Sequence, residues 1–169
     1  MPVLLSHHRN DEQETLRVSE YLKQNGVASY IELVDPELQS TDDTTAKLMD
    51  RILQCTHLMA VLSHYAEQSW WVPFMIGAGS GIDRRISSYQ LSSSPLPEFL
   101  QKWPILKSQR DLDYFVRYYK QDTIVALSAS HGDKKRISSA NQFHKELKAA
   151  IEGSSDGGKG GKVVLKIRS

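Results

Sequence analysis

The sequence is poor in several features, and each shortage excludes a class of protein. Cys55 is the only cysteine among 169 residues, which excludes an internal disulfide and a cysteine-built metal site. No stretch approaches the ~18 consecutive apolar residues that a membrane-spanning helix needs. The first apolar run, Val3 to Leu5, is too short for a secretory signal peptide. We therefore predict a cytoplasmic protein that has no membrane segment.

An excess of one charge is also missing. Lys and Arg total 21 and Asp and Glu total 20, for a formal net charge of +1. Nucleic-acid binding needs a concentrated basic field, and the single basic cluster, residues 134–136, is better explained as a solvated loop. We predict no nucleic-acid partner. A hydrophobic fraction of 40% and a charged fraction of 24% are typical of an ordinary globular domain.

Short apolar segments alternate with amphipathic ones along the chain. The pattern predicts strands at residues 3–5, 27–33, 58–62 and 86–91. It predicts helices after Asp11, after Asp42 or Asp43, after Ser69 and over residues 141–151, with shorter helical pieces at 98–103 and 112–119. Residues 123–127 fit either a fifth strand or further helix. Such alternation indicates an α/β fold with a parallel sheet covered by helices on both faces.

The domain boundary follows from composition. Residues 1–152 are predicted to form one domain of ordinary size. Residues 153–169 are rich in Gly, Ser and Lys and are predicted to be a flexible C-terminal tail.

Polar residues are expected to gather where the strands end, because ligands of open parallel sheets bind outside the carboxyl ends of the strands. The candidates for a polar ligand with phosphates or ribose hydroxyls are Ser6, His7, Arg9, Asp35, Ser63 and Trp71. Arg9 is the natural phosphate partner. Of the Trp70-Trp71 pair, one ring can line the cleft while the other packs inside, because adjacent helical residues point ~100° apart. An alternative interpretation treats His7 and His8 as ordinary hydrogen-bonded loop residues.

Several familiar motifs do not fit. Gly77, Gly79 and Gly81 close a helix, whereas a dinucleotide-binding glycine loop opens one. His57 and His64 flank a strand and do not share a helical face, so no metal site is predicted. A serine nucleophile would lack its strand-turn-helix elbow.

One run of sequence resembles a known family. Ala60-Val61-Leu62-Ser63-His64-Tyr65, followed by Ser69-Trp70-Trp71-Val72-Pro73-Phe74, is similar to the third strand and third helix of TIR (Toll/interleukin-1 receptor) domains. Val3 to His7 resembles the family's first strand, and Asp35-Pro36-Glu37-Leu38 its loop after the second strand. Residues 96–104 resemble a continuation found in bacterial and phage-defence TIR-like proteins. The resemblance covers residues 2–119 and implies a flavodoxin-like three-layer sandwich with a central five-stranded parallel sheet in the order 2-1-3-4-5.

The resemblance also implies an activity. Many TIR domains cleave the bond between nicotinamide and ribose in NAD, using a glutamate in the third helix. That position falls on Met75, whose thioether has no charge and cannot stabilise a cationic transition state. Three explanations remain open. The domain is inactive and binds a nucleotide or a partner, or a nearby acid, Glu67 or Glu37, takes the glutamate's role, or the methionine is an engineered or sequencing change in an active parent protein. Met75 can also be simple core filling.

The functional expectation is therefore a TIR-type NAD-binding or NAD-cleaving (NADase) scaffold in bacterial defence or signalling. NAD would be a substrate or ligand, with no separate cofactor. The alternative is a non-catalytic interaction module that self-associates through the loop at residues 34–43. A third reading is a nucleoside-processing enzyme of similar fold, such as a deoxyribosyltransferase.

Overall fold

The computed structural model describes residues 2–32, 42–65, 70–129 and 140–154. Its strands are β1 (Val3–His7), β2 (Ser29–Glu32), β3 (His57–Leu62), β4 (Arg85–Gln90) and β5 (Ile105–Leu106). Its α-helices are α1 (Glu12–Gln24), α2 (Asp42–Gln54), α3 (Trp71–Gly81), α4 (Gln109–Ala129) and α5 (Ala140–Ser154), with 3₁₀ helices at Arg9–Asp11 and Glu98–Lys102. Several sequence features lie outside the described residues: Asp35, Pro36, Glu37, Glu67, the basic cluster at 134–136 and the tail from 155 onward.

The strands form one parallel sheet in the order β2-β1-β3-β4-β5, which confirms the predicted order. Every residue of β1 and β3 is buried, as expected for strands covered on both faces. One row across the centre pairs Ser6 with Ala60 and Ala60 with Ser88. This row consists of small residues, in contrast to the Leu4, Leu58 and Ile86 row two residues earlier.

Two hydrophobic cores cover the sheet, one on each face. The first is formed with residues of α1, α4 and α5, which include Val18, Phe115 and Phe143. The second is formed with residues of α2 and α3, which include Ile52 and Met75. The chain is therefore an α/β three-layer sandwich of the flavodoxin-like type, as predicted.

Of the two alternatives left open for residues 123–127, the structure has the helix, and the fifth strand lies elsewhere. Residues 123–127 belong to α4, where the buried positions Leu112, Phe115, Val116 and Tyr119 follow the helical period. The fifth strand is Ile105–Leu106, directly after Pro104, and it pairs with Ser88 and Tyr89. A two-residue strand is too short to show a periodic pattern.

Glycines lie at or near the carboxyl-terminal ends of α1 and α3, with different effects on the two helices. Gly26 follows α1 with φ of 74°, a left-handed conformation that favours glycine, so the predicted stop is confirmed. The three glycines of α3 do not shorten that helix, which runs to Gly81. At Gly79 a Cβ atom would lie 3.2 Å from Leu58 Cδ2, so the glycine lets the helix approach β3 closely. No helix in the described ranges is long and apolar enough to cross a membrane.

Candidate functional site

Parallel strands bring their final residues to one end of the sheet, here called the carboxyl end. β1 ends at His7, β3 at Leu62 and β4 at Gln90, and Ser63 follows β3 directly. Ser6 and Ser63 therefore lie at the same end, as predicted. Asp35 and most of the loop at 34–43 lie outside the described residues.

Ser6 and His7 are neighbours in sequence but face opposite sides of the sheet. Successive side chains of a strand alternate between faces, and Leu4 belongs to the core under α2 and α3 whereas Leu5 belongs to the core under α1, α4 and α5. Ser6 thus faces α2 and α3, and His7 faces the other layer. The sequence predicted a single group containing both, and the strand separates them.

Three buried polar side chains on the α2/α3 face have no hydrogen-bond partner among the described residues. These are the Ser6 hydroxyl, the Ser88 hydroxyl and the Trp71 indole N–H, and the three residues are 0%, 0% and 6% exposed. Ser6 and Ser88 flank Ala60 in the row of small residues, so they lie two strand spacings apart, roughly 9–10 Å. We call these three residues the unpartnered group. Sequence reasoning named Ser6 and Trp71 but missed Ser88, because β4 has no motif that distinguishes one serine from another.

His7 is buried at the end of β1, and neither of its ring nitrogens has a hydrogen-bond partner in the part of the chain that the structure describes. Burial lowers its pKa below the ordinary value of 6.5, although the nearby Asp11 and Glu12 carboxylates act in the opposite direction. The ring is therefore neutral at pH 7. The alternative view of His7 and His8 as hydrogen-bonded loop residues is wrong for His7, which belongs to the strand, and confirmed for His8, whose Nδ1 accepts the Asn10 backbone N–H at 3.2 Å.

Asp11 is a buried carboxylate at this end of the sheet that sequence reasoning treated only as a helix cap. Its side chain does not cap α1. Instead Oδ2 accepts a 3.3 Å hydrogen bond from the Ser63 backbone N–H, and its carbonyl accepts a 2.8 Å bond from the Thr15 hydroxyl. Asp11 therefore ties the loop after β1 to the end of β3. No local signal could reveal a partner 52 positions away.

The rim of the carboxyl end carries aromatic rings. His8 stacks on Tyr65 with ring centroids 5.5 Å apart and an interplanar angle of 15°. The Tyr65 backbone N–H donates to the Ser63 hydroxyl at 3.2 Å, which holds the loop after β3 in place. Arg9, the predicted phosphate partner, is exposed in the 3₁₀ helix beside this pair. Cationic and aromatic groups here suit the planar and anionic parts of a nucleotide.

Met75, at the position where the TIR resemblance implies a glutamate, is fully buried in the core formed with α2 and α3. Trp71 precedes it by one helical turn and is also buried, whereas Trp70 and Phe74 are 57% and 37% exposed. The two tryptophan rings meet edge to face at 5.2 Å. Trp71, the ring named as a ligand candidate, therefore packs inside and Trp70 lies outside.

Within the described ranges no three His, Cys, Asp or Glu residues are grouped so that they could hold a metal ion. Among the described residues, the carboxyl end offers hydrogen bonding by hydroxyls, an indole N–H and a neutral imidazole, together with the carboxylates of Asp11 and Asp111.

Comparison with known protein families gives no matching family model, and comparison with curated proteins gives no significant match.

Proposed function

We propose that this chain is a TIR-like domain that binds NAD or a related nucleotide at the carboxyl end of its sheet, with little or no cleavage of its own. The observation that carries the proposal is the unpartnered group of Ser6, Ser88 and Trp71. Further support comes from the resemblance of residues 2–119 to TIR domains and from the strand order 2-1-3-4-5. That resemblance implies a cytoplasmic role in bacterial defence or signalling.

The unpartnered group supports ligand binding for an energetic reason. A buried donor or acceptor without a partner costs about 1–3 kcal/mol, so most are eliminated from folded proteins. Hydroxyl groups of a ribose and the carboxamide of nicotinamide both accept and donate hydrogen bonds. A ligand of that chemistry would recover part of this cost on binding.

Met75 supports binding without rapid cleavage. Breaking the nicotinamide–ribose bond develops positive charge on the ribose ring, which a carboxylate stabilises in glycoside cleavage. A fully buried thioether offers no charge to that step. The buried carboxylates that follow β1 and β5 at the described carboxyl end, Asp11 and Asp111, already accept the backbone N–H groups of Ser63 and Lys107.

Adjacent serines of β4 provide the test. Ser87 and Ser88 are both fully buried with unpartnered hydroxyls, but alternation places Ser87 on the α1/α4/α5 face and Ser88 on the α2/α3 face. Ser88→Ala should weaken NAD binding by about fivefold to tenfold, the loss of one net hydrogen bond. Ser87→Ala, which removes the same atom, should leave the Kd unchanged. Isothermal titration calorimetry with NAD measures both.

Two results would overturn the proposal. If the unmodified chain shows no NAD binding by calorimetry, the nucleotide assignment fails. If Ser87→Ala and Ser88→Ala change the Kd equally, the unpartnered group is not the contact surface.

A second candidate, a self-association module, is favoured by the exposed aromatic residues at the start of α3. Tryptophan is enriched at the energetic centres of protein interfaces, and Trp70 exposes more than half of its surface. The loop at 34–43, which the sequence analysis predicted to be the interface, lies mostly outside the described residues. The two candidates are compatible, because a domain can bind a nucleotide and also assemble.

A further inference from the structure

The opposite, amino end of the sheet contains a buried group of charged and titratable side chains. His57 and Arg85 are the first residues of β3 and β4 and pair in register. Asp122 reaches them from α4 and His144 from α5. We call these four residues the amino-end cluster. Its members come from four elements, so it links both helices to the sheet.

Arg85 and Asp122 form the ionic part of the amino-end cluster. Arg85 Nε lies 2.8 Å from Asp122 Oδ2 in a bent ion pair, and Nη2 donates to Oδ1 at 3.3 Å. Their side chains are 13% and 4% exposed. The pair is therefore largely shielded from water. Removing one partner of such a buried pair is costly, because it leaves the other charge uncompensated.

His57 is enclosed between this pair and aromatic rings. Its Nδ1 lies 2.9 Å from the Thr56 hydroxyl, while Nε2 is 3.9 Å from Asp122 Oδ2, too far for a hydrogen bond. The surrounding rings are those of Phe115, Tyr119 and Phe143, with centroids 4.8–5.9 Å away. The imidazole thus occupies an apolar cage that α5 helps to close through Phe143.

His144 makes the contact that matters most for α5. Its Nε2 accepts a 2.7 Å hydrogen bond from the Ile86 backbone N–H. Two residues later the Ser88 N–H donates to the Pro104 carbonyl, just before β5 begins. Alternate N–H groups of a strand point to the same neighbour, so the Ile86 N–H points to where β5 does not reach. His144 takes the place of the missing strand.

We propose that the His144–Ile86 hydrogen bond is an acid-released latch that holds α5 against the sheet. Only a neutral imidazole has a nitrogen lone pair that can accept the Ile86 N–H, and protonation converts that nitrogen into a donor. Protonation would also place a third positive charge next to those of Arg85 and Lys102, which Asp83 offsets only in part. Release of α5 would uncover His57, whose charged or titratable neighbours among the described residues include Arg85, Asp122 and His144.

The direction of the pH effect follows from the lowered pKa values. Burial, followed by the charge of Arg85, lowers the pKa of His144 to about 4 and that of His57 to about 3. In the released state both histidines regain the ordinary pKa of 6.5, so they bind protons that the docked state excludes. Docking is therefore strongest above pH 6.5 and weakens as the pH falls from 6.5 toward 4.

Hydrogen exchange of the full chain, followed by NMR between pH 7 and 4.5, tests the latch. After correction for intrinsic exchange rates, the protection of Ile86 and of the α5 amides should fall about tenfold per pH unit for each proton taken up on release. His144→Gln keeps a carbonyl acceptor but has no titrating group. The slope of log protection against pH in this variant should therefore be smaller by the contribution of one proton. His64→Gln, a change at an exposed histidine, should keep the slope of the unmodified chain.

An equal slope in His144→Gln and the unmodified chain would overturn the proposal. If His144→Gln does not fold, a nitrogen-detected titration of His144 in the unmodified chain replaces that variant as the test. In this titration we expect Nε2 of His144 to remain a neutral acceptor down to about pH 5. Titration of His144 near pH 6.5 while the Ile86 amide stays protected would also overturn it.

Discussion

The amino and carboxyl ends of the sheet both bury polar side chains, yet they treat them differently. At the amino end, Arg85 is paired with Asp122 and His144 accepts the Ile86 N–H. At the carboxyl end, Ser6, Ser88 and Trp71 have no partner among the described residues. His57 Nε2 at the amino end also lacks a hydrogen-bond partner among the described residues. The difference is that the amino end pairs its charged groups across elements, which stabilises a fold. Under the proposed function, the unbonded groups of the carboxyl end are those that would bond a ligand.

The largest expected effect tests the amino end directly. Asp122→Ala would leave Arg85 buried without its counter-charge, and we expect it to lower the free energy of unfolding by about 3–5 kcal/mol. Glu14→Ala is the control, because it breaks the exposed Arg17–Glu14 pair and should cost less than about 1 kcal/mol. Urea unfolding of both variants measures the difference. Similar costs would show that the Arg85–Asp122 pair acts as a surface pair.

The second prediction asks whether the carboxyl end can be given catalytic power. Met75→Glu places a carboxylate at the position of the family glutamate, and we expect NAD cleavage to rise by about 10²–10³-fold, the scale of one preorganised charge-stabilising group. Met75→Gln is the matched control, with similar volume and no charge, and should stay near the unmodified rate. Nicotinamide release, measured by chromatography, reports the reaction.

Rapid cleavage by the unmodified chain would mean that the catalytic acid lies elsewhere. Because Met75 is fully buried, the thermal unfolding of both variants must be measured alongside. A folded Met75→Glu variant that remains silent would contradict the prediction.

The smallest expected effect concerns the surface near the carboxyl end. If the exposed Trp70 contributes to self-association, Trp70→Gln should weaken the dimerisation constant about tenfold or more while folding is preserved, the lower range for a tryptophan at an interface. Phe99→Gln is a matched control, since Phe99 is 47% exposed near a different helix. Light scattering over a concentration series measures association. A monomer at every concentration, with and without NAD, would remove the self-association candidate.

Much of the architecture was predictable because apolar periodicity reports burial. The fully buried runs of β1 and β3 and the helical spacing of Leu48, Ile52 and Cys55 in and just after α2 are local patterns. The stop at Gly26 is also local, since it depends on one residue's backbone freedom. Strand β5 was missed because two residues carry no period, and its pairing depends on a neighbour 17 positions earlier in the chain.

The candidate site was only partly predictable. The rule that loops gather at the carboxyl end correctly brought Ser6 and Ser63 together, because it depends only on the parallel arrangement of the strands. It could not tell that Ser6 and His7 face opposite layers, since that requires knowing which helices cover which face. Nor could it find Ser88 or the bond from Ser63 to Asp11, which depend on register between distant strands and loops.

By itself, the sequence determined the alternation of helices and strands and the fold class, because these depend on residue type and spacing along the chain. Only the tertiary structure decided which polar groups found partners. Nothing in the sequence sets His57 and His144 apart, and they lie in one cluster only because β3, β4, α4 and α5 converge at one end of the sheet. Burial and hydrogen bonding are properties of neighbours in space, and the chain brings those neighbours together only when it folds.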